Sequence, residues 1–197
     1  MQNTGKIVWG VVIGVIVLAA FMFFGKYNSV VTMEESVNTA WAQVENQYQR
    51  RSDLIPNIVS SVKGEANFEK STLEAVVNAR ASATKTTVNI TDAKEMAEYQ
   101  NQQQGISQAL SRLLVVSENY PSLKANQAFS DLRVSLEGTE NRISTERMRY
   151  NEAVQQFNTY IRMFPNNIVS GMFGFSKKNL FESDKGANVA PKVDFTN

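Results

Sequence analysis

Residues 7–24, IVWGVVIGVIVLAAFMFF, carry no charge and lie between Lys6 and Lys26. As a helix this stretch is about 27 Å long, close to the roughly 30 Å hydrocarbon core of a bilayer. A cleaved signal peptide has a shorter apolar core and ends on small residues. Here the stretch ends on Phe21, Met22, Phe23, Phe24 and Gly25. A core helix of a soluble protein is normally shorter and amphipathic. The stretch therefore predicts a transmembrane helix over residues 7–26, preceded by a short segment at 1–6. Trp9 and Tyr27 sit near its ends, where amphipathic aromatics favour the headgroup region. Lys6 and the terminal amine balance Lys26, so flanking charge does not orient the span. The usual single-anchor arrangement puts the short N-terminus inside and the following domain outside. Gly10 and Gly14 have the four-residue spacing that lets two membrane helices approach closely. Gly is also frequent in such helices without that role.

Beyond the span the apolar positions keep a helical period. Val30, Met33, Val37, Trp41, Val44, Tyr48, Leu54 or Ile55, Ile58 and Val62 are mostly three or four apart. Arg51 interrupts this stripe. Few breakers separate Tyr27 from Lys63, so the soluble helix is expected to continue directly from the membrane helix. Pro56 is expected to kink it or remove one hydrogen bond, and Gly64 and Asn67 to stop it. A second helix is expected over residues 68–84, and a loop at 85–91. A third starts near Thr91 or Asp92, with Glu95 as capping partner, and is punctuated by Pro121. A fourth, with an almost unbroken apolar seam, covers 125–161 and is closed by Pro165. No period-two strand is legible. The expected fold is all-α: the transmembrane helix, then an antiparallel up-and-down bundle of about four long helices over residues 27–165. An irregular apolar and aromatic tail follows over residues 166–197. Its expected place is across the bundle end; the alternative has Phe173, Phe175 and the neighbouring lysines against a membrane or a partner. From Asp184 the tail reads as flexible, apart from a candidate anchor at Val193 and Phe195.

At this point a resemblance appears. NTAWAQVE at residues 38–45 and QRRSDLIPNIVSSVKG at 49–64 resemble the signature of the LemA family. LEAVVNARA at 73–81, LSRLLVVSENYPSLKANQAF at 110–129 and LEGTENRI at 136–143 continue it. RYNEAVQQFN at 149–158, FPNNIVSGMFGF at 164–175 and PKVDF at 191–195 complete it. The chain departs from the family after the Lys-Gly step, where Glu65 and Phe68 replace an aromatic and a histidine. The resemblance implies a bacterial membrane protein with an N-terminal anchor and a helical domain, and it does not point to an enzyme activity. It associates the chain with a membrane metalloprotease or another envelope protein as candidate partners.

Composition narrows the chemistry. The chain has no Cys and no His, which excludes disulfides, thiolate metal sites, cysteine nucleophiles, imidazole bases and Ser-His-Asp triads. A net charge of +1, from 20 basic and 19 acidic residues, argues against nucleic acid as a partner. No catalytic, cofactor or metal site is expected. The residues singled out are Arg50, Arg51, Asp53, Pro56 and Asn57 in the best-matched motif, with Glu140 and Glu146 on the fourth helix. Arg51 and Glu146 both lie on apolar seams, and a buried charge is tolerable when paired. An ion pair between Arg51 and Glu146 or Glu140 is therefore expected, the alternative being snorkelling of both to solvent. Membrane lipid is expected as a contact for Trp9, Tyr27, Phe173 and Phe175, and a second copy of the chain for Gly10 and Gly14. Three functions fit: a self-associating scaffold, an adaptor for a membrane protease, and a membrane-shaping oligomer.

Overall fold

The computed structural model describes residues 2–65, 68–84 and 88–182. All regular structure among them is helical: α1 (Gln2–Lys63), α2 (Lys70–Ala83), α3 (Ala93–Ser117), α4 (Pro121–Ala125), α5 (Gln127–Tyr160) and α6 (Asn166–Phe173). Asn67, residues 85–87 and the expected tail anchor at Val193 and Phe195 lie outside the described residues.

α1 is one helix of 62 residues, about 93 Å long. Its first part stands alone. The side chains of residues 8–22 are all exposed, Phe21 at 82%. A row of large apolar side chains left uncovered by protein belongs in a lipid environment, where no core is needed to hide it. From Val30 onward the same helix becomes the central strut of the bundle, with Val30, Val37, Val44 and Ile58 fully buried.

α5 runs antiparallel to this strut. Trp41 meets Tyr150 with ring centroids 5.2 Å apart, and Arg51 meets Glu140 at 2.9 Å, so ten residues forward on α1 correspond to ten residues back on α5. α3 is antiparallel to α5, with Ser107 against Glu140 and Glu118 against Arg133. α2 folds back along α3, with Glu69 bonded to Arg112. Successive long helices thus alternate in direction.

Local chemistry sets the breaks. Asp92 caps α3 by accepting from the N–H groups of Lys94 and Glu95 at 2.8 and 3.1 Å. Glu95 reaches back to the N–H of Asn89 rather than to Asp92. The expected fourth helix is α5, and a short separate helix, α4, precedes it. Pro121 opens the short α4 at a position where its missing N–H costs nothing. Asn126 then takes an extended conformation and caps α5 through the N–H of Phe129. Glu118, at the end of α3, gathers Lys124 and Arg133 across this corner. The bond from Lys124 is the main reason that the Glu118 carboxyl is held below its usual range.

The tail departs from the expected irregular course. Residues 166–173 form α6, and Gly174, at φ 75°, supplies the left-handed turn that reverses the chain. Residues 175–182 then run back along α5, up the side of the bundle rather than across its end. Phe181 is buried there and stacks on Trp41, ring centroids 5.7 Å apart.

The buried residues form two apolar clusters. The lower one, nearer the membrane helix, contains Val37, Trp41, Tyr99, Tyr150, Phe157 and Phe181. The upper one contains Ile58, Val76, Leu110, Leu113, Phe129 and Leu136. In the lower cluster burial pushes the Tyr99 and Tyr150 phenols above the ordinary tyrosine range, with Tyr48 and Glu45 adding to the effect at Tyr99. The fold therefore favours the neutral phenols. Their contribution is complete below the unfolded tyrosine value of about 10 and is lost as pH rises beyond it, because the unfolded chain ionises first. Thermal melts of the detergent-solubilised protein, followed by circular dichroism, are expected to fall in midpoint above pH about 10. Tyrosinate absorbance from these two residues should arrive only with unfolding.

Candidate functional site

Between the two clusters lies a polar layer centred on Arg51. Its side chain is 1% exposed, while that of Glu140 is 37% exposed. Arg51 Nη1 donates to Glu140 Oε1 at 2.9 Å and to Ser107 Oγ at 2.7 Å. Its Nη2 donates to the Gln103 carbonyl at 3.1 Å and to Gln103 Oε1 at 2.6 Å. The Ser107 hydroxyl donates to Glu140 Oε2 at 3.3 Å. The guanidinium also lies over the Tyr48 ring, 5.1 Å from its centroid, a favourable cation–π position. One side chain of α1 thereby engages α3 and α5 together. A cleft of about 260 Å³, lined by Arg51, Gln104, Ser107, Glu140 and Arg147 among others, opens onto the layer beside the partly exposed carboxylate.

Glu146 is not part of this layer. It accepts from Arg149 Nη1 at 2.8 Å on its own helix. The reason is register: Glu146 is about 9 Å further along α5 than Glu140, too far for Arg51 to reach.

The neighbouring motif residues have different fates. Arg50, Asp53 and Asn57 are exposed on one solvent face of α1, and Asp53 accepts from Gln49 at 2.8 Å. Pro56 sits inside α1, which continues through it. A proline has no N–H for the carbonyl four residues earlier, here that of Ser52. Arg80 of α2 supplies the missing donor: its Nε is 3.0 Å from the Ser52 carbonyl and 3.2 Å from Ser52 Oγ. Asp53 and Asn57, the nearby polar residues, do not perform this task. The defect in α1 is thus a docking point for α2.

A second polar array escaped sequence reading. Three side-chain amides grip the backbone of the returning tail, each donating and accepting. Asn158 holds Lys178 at 2.9 and 3.0 Å, Asn151 holds Phe181 at 3.0 and 2.9 Å, and Gln100 holds Glu182 at 2.7 and 3.1 Å. The Tyr150 hydroxyl donates to the Asn179 carbonyl, and the Asn179 N–H donates to the Ile90 carbonyl. These contacts satisfy an extended backbone that has no strand beside it. Lys178 also pairs with Glu34 at 2.7 Å, which ties the strap to α1. Asn151 and Asn158, seven apart on one face of α5, were the available sequence signal.

At the membrane helix, Trp9 is exposed, and nothing lies within 4 Å of a Cβ placed on Gly10 or Gly14. Phe173 and Phe175 differ. Phe173 is half exposed beside Tyr27, ring centroids 4.6 Å apart. Phe175, turned inward by Gly174, packs on the lower cluster. Among the described residues no group of three or more Asp and Glu side chains gathers to hold a metal ion.

The LemA family model matches residues 40–195, a span containing the Arg51 layer, the Pro56–Arg80 contact and the strap. The chain belongs to the LemA family. It is similar to magnetosome protein MamQ 2 of Paramagnetospirillum magneticum, 26% identical over 203 residues that cover 92% of this chain and 74% of the relative. It is similar to magnetosome protein MamQ of Magnetospirillum gryphiswaldense, at 23% over 202 residues with the same coverages of 92% and 74%. Protein LemA of Metamycoplasma hominis is 23% identical over 165 residues, 84% of this chain and 73% of the relative. This LemA chain is a membrane-associated helical protein.

The exposure difference within the ion pair has a measurable consequence. Glu140→Ala leaves a buried cation and is expected to cost about 3–5 kcal/mol. Arg51→Met leaves a carboxylate that water reaches and an unpaired Gln103 amide, at about 1–3 kcal/mol. Denaturant unfolding of the two variants checks the order; a greater loss for Arg51→Met would contradict it. Arg80→Met strands the Ser52 carbonyl and is expected to cost about 1–3 kcal/mol. Pro56→Ala, which restores the helical N–H, should remove most of that loss in the double variant, as read from a double-mutant cycle.

Proposed function

We propose that this LemA chain is a non-enzymatic, self-associating scaffold of the bacterial envelope. Residues 7–24 cross the cytoplasmic membrane once, and the bundle stands in the periplasm. The observation that carries this reading is the continuity of α1, whose uncovered apolar part and buried bundle part are one helix. A rigid post of this kind holds a domain at a set height and orientation above a membrane. The polar groups inside the bundle support the reading, because Arg51, Arg80, Asn151 and Asn158 are engaged in joining its own elements. Gly10 and Gly14 offer a flat face for packing two such posts within the bilayer.

Crosslinking in native membranes, followed by mass spectrometry of the purified protein, tests the proposal. A defined series of homo-oligomers is the expected result, and recovery of monomer alone would refute it. A cysteine placed at the exposed Met148 should react with a membrane-impermeant maleimide added to intact spheroplasts. Labelling only after lysis would place the bundle in the cytoplasm.

A further inference from the structure

The position of α6 has a consequence for how the protein meets the bilayer. Phe173, its last residue, lies 6.1 Å in ring-centroid distance from Phe23 and 4.6 Å from Tyr27. Phe23 belongs to the uncharged stretch, and Tyr27 immediately follows its flanking lysine. α6 therefore sits at the height where the apolar stretch of α1 ends. Its inner side, Asn166, Val169 and Ser170, is buried against the bundle. Its other side is apolar and uncovered: Ile168, Met172 at 69% and Phe173 are exposed, as are Met163 and Phe164, at 81%, in the preceding turn. Five large apolar side chains gathered at one end of a domain form an interaction patch rather than the usual scatter of single exposed residues.

The unpaired charges around this patch are basic. The sequence holds no Asp or Glu between Glu152 and Glu182, while Arg162, Lys177 and Lys178 fall in that interval and Lys26 lies at the same level on α1. Lys178 is neutralised by Glu34, whereas Arg162 and Lys177 are exposed. Lys26 lies over the ring of Tyr160, 5.9 Å from its centroid, at the end of α5. Apolar side chains bordered by cations match a bilayer surface of anionic headgroups over acyl chains.

We infer that α6 and the turn before it are a second membrane contact, resting in the headgroup region of an anionic bilayer beside the transmembrane helix. Tyr27 and Tyr160 then occupy the aromatic belt of that interface. Two contacts at one level hold the bundle against tilting about α1, which a single span leaves free. The inference rests on residues 7–24 spanning the membrane.

The chain has no cysteine, so single labels are placed without background. The full-length protein, carrying an environment-sensitive fluorophore at Ile168→Cys or Met172→Cys, is reconstituted into phosphatidylcholine vesicles with a minority of phosphatidylglycerol. Nitroxide lipids labelled near the headgroup or deep in the chain serve as quenchers. Val15→Cys reports the span and Met148→Cys the bundle. Labels at 168 and 172 are expected to be quenched best by the shallow nitroxide, at a depth of about 5–10 Å. Val15 should be quenched best by the deep one, and Met148 by neither. Quenching at Val15 with water-exposed emission at 168 and 172 would overturn the inference and leave the span intact. Loss of quenching at Val15 as well would overturn both. Shielded but unquenched labels at 168 and 172 would assign the patch to a protein instead and overturn the lipid contact.

Discussion

The Arg51 layer is the constraint on which the rest of the bundle depends. Apolar seams on long helices attract one another with little preference for axial position, since a slip of one turn presents another apolar face. A buried guanidinium removes that freedom. Arg51 finds a carboxylate, a hydroxyl and an amide together only when α1, α3 and α5 are in one register. Away from that register its charge is buried without compensation. The layer separates the lower cluster, ending near Tyr48 and Ile143, from the upper one, beginning near Ile55 and Leu136. Each cluster then packs as a consequence of where the layer sits.

Two other polar devices extend this control. The carbonyl released by Pro56 gives α2 a fixed partner on α1, so a local fault in one helix becomes a tertiary bond. The amides of Asn151, Asn158 and Gln100 fasten the returning tail, which in turn delivers Phe181 onto Trp41. At the base, Lys178 with Glu34 and Phe173 with Tyr27 bind the tail to α1 close to the apolar stretch. The apolar part of α1 is therefore tied to the bundle through covalent continuity and through contacts on a second side. For a LemA-family chain this architecture fits holding and positioning, with the interior chemistry directed at its own helices.

Much of this was legible in the sequence. The uncharged stretch before Lys26, the all-helical character, the fusion of the membrane helix with the first bundle helix and the caps at Asp92 follow from composition and from spacings of three and four residues. Such signals are local, because hydrogen-bonding and side-chain neighbours within a helix lie within four residues of each other. The burial of Arg51 was readable for the same reason, since it falls on an apolar stripe. The short α4 was missed because Pro121 reads as punctuation after α3, and only the packed structure shows that it opens a further turn of helix.

Periodicity determined which faces of the helices are buried, and composition marked out one uncharged apolar stretch long enough to span a bilayer. Tertiary structure alone decided the partners. It selected Glu140, 89 residues from Arg51, over Glu146, and brought Arg80 to the Ser52 carbonyl across 28 residues. It turned the tail at Gly174, drew Phe175 inward, and left α6 level with Phe23. The physical reason is that helical pattern specifies rotation about each axis but not position along it. Axial position is set by how separate helices match, and that becomes visible only when they are packed together.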